Sequence, residues 1–170
     1  MKKEFLKQFK ERLNKTSKKT IVLYSILAFL LLCKILNVYT INLVIGESMY
    51  PTLKEKQLLI GSSLYKITDN ITYGDVVTIK YDKECIIKRV VGLPGDTVKI
   101  ENNILYRNGE EIKEDYANFV YPSVKIDVEE TILGEDEYFV LGDNRSVSKD
   151  SRIIGPIHKD DIISKIIGDY

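Results

Sequence analysis

This chain of 170 residues is poor in the groups that most enzymes rely on. It has one histidine, His158, and two cysteines, Cys33 and Cys85. Two distant cysteines exclude a disulfide framework. A single histidine without Cys or His companions at ligand spacing gives no metal site. No Gly-rich phosphate loop, internal repeat or low-complexity segment occurs. Formal net charge is zero, with 25 Lys/Arg against 25 Asp/Glu. That balance hides an asymmetry. Residues 1–19 hold eight Lys/Arg against Glu4 and Glu11, so the remainder is acidic. Nucleic acid is not the expected partner, because the positive charge stops where an apolar run begins.

The run is TIVLYSILAFLLLCKILNVYTINLVI, residues 20–45. About 20 mostly apolar residues span a bilayer. Residues 20–39 meet that length if the Lys34 ammonium snorkels to the headgroups and Tyr39 sits at the same interface. The preceding lysines place the N-terminus in the cytoplasm and the rest of the chain outside. No small-x-small site follows the apolar core, so a retained anchor is expected rather than a cleaved leader. The expected organisation is a basic cytoplasmic segment 1–19, a transmembrane helix 20–39 and an extracytoplasmic domain 40–170. The protein is then single-pass in the plasma membrane, with the bilayer as one partner.

Beyond Leu53 the pattern is that of strands. QLLIGSSLYKI, DVVTIKY, ECIIKRVVGL, TVKIENNILYRNGEEI and EYFVLGDN are short runs rich in Val, Ile and Tyr, broken by Gly, Asn, Asp and Pro. Spacing near ten residues is that of all-β folds. Asn102-Asn103 and Asn108-Gly109 are hairpin turns by composition, and Leu93-Pro94-Gly95-Asp96 is a further turn. Helix is expected only in the N-terminal run and over 159–165. The fold class is mainly β: a compact barrel or sandwich tethered by one helix.

Ser48, in IGESMYPTL, raises the question of a nucleophile. His158 lies in a loop-like Gly-Pro-Ile-His-Lys-Asp segment and reads as a surface residue. Asp143 and Asp150 are weak bases for a serine at neutral pH. Lys88 is a further candidate, although a strand lysine taken alone is usually a surface residue that keeps its ammonium in water. In a strand it shares a face with Ile86 and Val90, while Arg89 shares the other with Ile87 and Val91. Burial among such neighbours disfavours the ammonium and lowers its pKa. A neutral amine then accepts a serine proton.

Three segments, IGESMYPTL, IIKRVVGLPGD and YFVLGDNRSVSKDSR, follow the apolar run in this order. Together with TYGDVVTIK at 72–80 they resemble the motifs of bacterial type I signal peptidases, membrane-bound Ser-Lys enzymes that cut signal peptides from exported proteins. The short interval between Asp96 and Tyr138 resembles the small Gram-positive form. The resemblance implies Ser48 as nucleophile, Lys88 as general base and no cofactor. It implies that Ser148 orients the lysine nitrogen, that Asp150 and Arg152 form a supporting pair, and that Asp143, Asn144 and Arg145 build a scaffold turn. Substrates would be preproteins with small residues one and three positions before the cut. Val44, Ile45, Met49, Leu53 and Ile87 would line the pockets for those residues, and Met49 would also reach lipid. Gly46 stands where many relatives carry a serine that joins the oxyanion hole, and Glu47 has no assigned role. Two alternatives remain at this point. One is a related Ser-Lys peptidase for pilin, conjugation or other membrane substrates; the other is a non-catalytic tethered chaperone.

Overall fold

The computed structural model describes residues 4, 18–35, 38–68, 70–119 and 126–168. The chain divides into two units, Met1–Val38 and Tyr39–Tyr170. In the first, α1 runs Lys18–Ile35. Its eighteen residues reach about 27 Å at 1.5 Å each, and Lys18, Lys19 and Lys34 lie within it. Among the described residues no helix is long and apolar enough to cross a membrane. Residues 36 and 37, inside the expected span, lie outside the described residues. Tyr39, expected at the end of that span, instead opens a strand.

The second unit is built from eleven strands and two short helices. Its strands are β1 Tyr39–Leu43, β2 Leu58–Ser62, β3 Val76–Tyr81, β4 Glu84–Gly92, β5 Thr97–Glu101, β6 Ile104–Arg107, β7 Glu110–Glu111, β8 Val128–Ile132, β9 Glu137–Leu141, β10 Ile157–His158 and β11 Ile162–Ile167. Helices α2 Tyr65–Thr68 and α3 Ser151–Ile154 add one turn each. Seven strands form a sheet in the order β1-β2-β11-β3-β4-β9-β10, and four form a second in the order β7-β6-β5-β8. All strand pairings are antiparallel. The mainly β expectation is met by this two-sheet arrangement.

Turn chemistry sets the hairpins. Asn102 and Asn103 both adopt positive φ, 54° and 67°, between β5 and β6. Asn108 and Gly109 do the same, at 53° and 80°, between β6 and β7. Positive φ at both central residues marks the tight turn whose twist matches the flanking strands. Two expectations are corrected. Residues 159–165 are not one helix: Lys159–Asp161 is a 3₁₀ turn and Ile162 opens β11. The β-branched Ile162, Ile163, Ile166 and Ile167 fit a pleated strand better than a helical turn. The run QLLIGSSLYKI is not one strand either, because β2 stops at Ser62 and Tyr65 begins α2.

Three apolar clusters hold the unit. One gathers Val77, Ile79, Val90, Val140 and Ile162 from the large sheet, and another joins Val91, Phe139 and Leu141 to Val98, Ile100 and Leu105 of the small one. The third packs Val44, Met49, Leu53, Leu59, Val76 and Ile166. It anchors the segment that follows β1, and so the position of Ser48.

Two edges matter for function. β1 ends the large sheet and pairs with β2 alone. β4 pairs with β3 over Glu84–Arg89, but with β9 only from Arg89 onward. Among the described residues, the stretch 84–88 therefore keeps one open edge. The outer face of β1 and β2 is aliphatic and exposed. Ile41 opposes Ile60 and Leu43 opposes Leu58, and Ile45 beyond them is 83% exposed.

Candidate active site

Ser48 and Lys88 are 40 residues apart in sequence and meet in space. Ser48 lies in the turn after β1, entered through Gly46 at φ 80°. Main-chain bonds within this turn run from Tyr50 N–H to Glu47 O at 3.1 Å and from Leu53 N–H to Met49 O at 2.9 Å. Lys88 sits mid-strand on β4, opposite Val77. Its Nζ lies 2.8 Å from Ser48 Oγ and 2.9 Å from Ile87 O. Only 3% of the lysine is exposed.

Burial among Val, Ile and Met side chains lowers the Lys88 pKa from 10.5 to about 8. Asp150 and Asp143 pull it back up, and Arg152 pushes it down. The carboxylates do not win, because each is already engaged. Asp143 accepts from Arg89 Nε at 2.9 Å and from Nη2 at 2.7 Å. Asp150 accepts from Arg152 Nε at 2.8 Å, from Nη2 at 2.9 Å and from Gly142 N–H at 3.0 Å. Neither carboxylate is exposed. Desolvation then dominates over attraction, and the amine is neutral through a range that an ordinary lysine spends protonated.

Around this pair the expected residues are distributed unevenly. Asp150 and Arg152 form an ion pair, and Arg152 Nη2 also donates to Arg145 O at 2.7 Å. Asp150 additionally caps α3. Asp143 belongs to a turn whose Asn144 N–H donates to Ser48 O at 3.0 Å. Ser148 is close by: a Cβ built on Gly142 would lie 2.2 Å from Ser148 Oγ and 2.5 Å from Ser48 O. Yet among the described residues no hydrogen bond joins Ser148 to Lys88, and the Ser148 hydroxyl is buried without a partner. The lysine hydrogen is given to Ile87 O instead.

A groove of about 630 Å³ runs past the pair. Val44, Ile45, Met49 and Ile87 are among the residues that line it. Leu53 is not. It is fully buried in the cluster beneath, because its side chain points into the sheet, toward Val76. Met49 is 2% exposed, which excludes the expected contact with lipid. Asn42 and Thr78 also line the groove and were missed by sequence reading; the signal was a polar residue set among apolar ones in a strand. Gly46 leaves open space around any added Cβ, but its positive φ strains every residue with a side chain. His158 is outside the groove. It is exposed, and its Nδ1 accepts from Asp160 N–H at 3.3 Å, capping the 3₁₀ turn. Cys33 and Cys85 are free thiols. Among the described residues no cluster of His, Cys, Asp or Glu suits a metal ion.

This arrangement supplies a half-buried hydroxyl, a desolvated amine in contact with it, and two open strand edges beside a shallow apolar groove. Such a site suits attack on an extended peptide. Comparison with known proteins agrees. The family model described as signal peptidase, peptidase S26, matches residues 15–168. Signal peptidase I P of Bacillus subtilis subsp. natto is 37% identical over 154 residues, 85% of this chain and 81% of its own length. Signal peptidase IB of Staphylococcus aureus is 35% identical over 148 residues, 78% of this chain and 76% of its own. The crystal structure of a signal peptidase I from Enterococcus faecalis V583 aligns with TM-score 0.50 and 27% identity, over 58% of this chain and 97% of that one. A match across nearly the whole chain, joined to this geometry, leaves one conclusion: the chain belongs to the signal peptidase family, peptidase S26.

Proposed function

We propose that this protein is a serine endopeptidase that removes signal peptides from exported preproteins, with Ser48 as nucleophile and Lys88 as general base. The contact of 2.8 Å between Ser48 Oγ and a lysine that is 3% exposed carries this reading. Ser48 Oγ attacks the scissile carbonyl while neutral Lys88 Nζ takes the hydroxyl proton. The C–N bond breaks as Lys88 passes that proton to the leaving amine. Water then attacks the acyl-enzyme ester, Lys88 takes its proton, and the proton returns to Ser48 Oγ as the acid departs. The oxyanion donor is the Ser48 main-chain N–H, since Gly46 offers no side chain. Ser148 and the Asp150–Arg152 pair support the loop beside the amine.

The substrate lies extended between β1 and the open edge of β4, bonding to both by its main chain. Its alternate side chains face Val44, Met49 and Ile87, where little room favours small residues. The domain works at a membrane surface, anchored through the apolar segment that begins at residue 20, with the catalytic unit from Tyr39 onward outside the cell. Support comes from α1, whose Ile21, Leu23, Ile26, Phe29 and Leu30 are all exposed. A helix apolar all round belongs in a core or in lipid. The exposed aliphatic face of β1 and β2 suits the same surface.

The test uses the full chain in detergent and a quenched peptide with Ala one and three positions before the cut. Ser48→Ala and Lys88→Ala should each lower cleavage by at least about 10³-fold with the fold intact. Retained cleavage in either variant rejects the dyad. Extraction of membranes with alkaline carbonate tests the anchor: recovery in the soluble fraction rejects it.

A further inference from the structure

Glu114 lies outside every motif that pointed to the site, yet it is bound to it. Its Oε2 and Oε1 accept from Arg145 Nη1 and Nη2, each at 2.6 Å. The two side chains are 6% and 3% exposed. Tyr116 OH donates to Glu114 Oε1 at 2.8 Å, and Tyr73 OH lies 3.1 Å from Tyr116 OH. The main chain repeats the link. Asn118 N–H donates to Asp143 O at 2.7 Å, and Arg145 N–H donates to Asn118 O at 2.8 Å. Arg145 Nε also donates to Gly142 O at 3.1 Å. Residues 114–118 thus grip the turn 142–145 from one side. On the other side that turn holds Ser48 O through Asn144 N–H.

A buried ion pair is a poor source of stability, because desolvating both charges offsets their attraction. What a two-pronged carboxylate–guanidinium contact supplies is direction. Here the direction is passed to the peptide unit of Ser48. Among the described residues Asn144 Oδ1 is buried without a partner, so that oxygen gives the turn no anchor.

We propose that Glu114 is a positioning residue for peptide cleavage: through its fork to Arg145 it sets the turn whose Asn144 N–H holds the Ser48 carbonyl. This rests on the reading of Ser48 as nucleophile. A serine displaced by a fraction of an ångström loses its line of attack while the groove that binds peptide is untouched.

The experiment compares wild type, Glu114→Gln and the double variant Glu114→Gln/Arg145→Met, with the same quenched peptide, well below each Tm. Glu114→Gln strands a buried guanidinium and should lower both Tm and kcat. The double variant removes that stranded charge, so Tm should return toward wild type. Its kcat should stay about 10–100-fold down, with KM within about twofold of wild type. The acid limb of the pH profile should not move, because the clamp acts on the serine main chain and not on the amine. A double variant with recovered Tm and kcat within about twofold of wild type overturns the proposal, as does a loss confined to KM. If the double variant does not fold, Tyr116→Phe decides: deleting one bond to Glu114 should lower kcat about 2–10-fold, and unchanged kcat rejects the clamp. Ser48→Ala separates the two ideas. If it still cleaves, the dyad fails; if it is dead while the double variant is fully active, only the clamp fails.

Discussion

Arg89 and Asp143 meet through two parallel hydrogen bonds, Nε to Oδ1 at 2.9 Å and Nη2 to Oδ2 at 2.7 Å. Arg89 follows Lys88 on β4, and Asp143 precedes the residue that holds the Ser48 carbonyl. The pair therefore ties the strand bearing the base to the turn bearing the nucleophile's support. Arg89 also donates to Gly74 O at 2.8 Å and lies 4.2 Å from the Tyr116 ring centre.

Asp143→Asn should destabilise the protein by about 3–5 kcal/mol, because it strands a guanidinium that is almost wholly buried. Urea unfolding followed by circular dichroism checks this. A change below about 1 kcal/mol, the scale of a surface pair, sinks the argument.

Cleavage should rise with pH through about 8, the Lys88 pKa, as the ammonium loses its proton. The rate below that point should fall about tenfold per pH unit, in proportion to the neutral amine. A pH–rate profile with its acid limb near that of a histidine, about 6.5, contradicts it.

Stability carries a second signature of the same shift, in the same direction. The folded pKa of Lys88 lies below its unfolded value, so between about 8 and 10.5 the unfolded chain binds the extra proton. This group's contribution therefore improves as pH rises through that window and is least favourable below it. Lys88→Met, which fills similar volume without charge, should abolish cleavage while stabilising the fold at pH 7 by on the order of 3 kcal/mol. Thermal melts at pH 7 and pH 10 compare the two; equal or lower Tm for the variant at pH 7 denies that the lysine is desolvated.

His158→Ala should cleave at the wild-type rate. It loses one exposed cap on a 3₁₀ turn, at a cost of about 1 kcal/mol or less. Steady-state kinetics decide, and an inactive variant would restore a histidine mechanism.

Gly142→Ala should be among the most damaging small substitutions. Its Cβ would meet Ser48 O at 2.5 Å and Ser148 Oγ at 2.2 Å, so the main chain under the nucleophile must move. We expect a loss in kcat of about 10²-fold. Activity close to wild type would show that this approach is looser than the distances imply.

Much of the fold was legible in the chain because its causes are local. Paired Asn residues adopt positive φ wherever a tight hairpin asks for it, and they do so at 102–103. Runs of Val and Ile in β3 and β4 report strands regardless of partners. Misreadings fell where a distant partner decides. Residues 162–167 pair with β2 and β3, and that pairing overrides a short helical pattern. Leu53 and Val44 look equally suited to line a pocket and share one buried cluster, yet only Val44 also borders the groove.

Residue types and their order determined that a serine and a lysine were available in strand-rich surroundings and that no histidine stood near enough in pattern to compete. Only the tertiary structure decided that Lys88 is dry and touches Ser48, that Ser148 stops short of the amine, and that residues 114–118 brace the site. Burial and contact are properties of packed strands, not of neighbours in sequence. A lysine's proton affinity depends on the water it has lost, and that is known only once β3 lies beside it and the turn bearing Ser48 has closed over it.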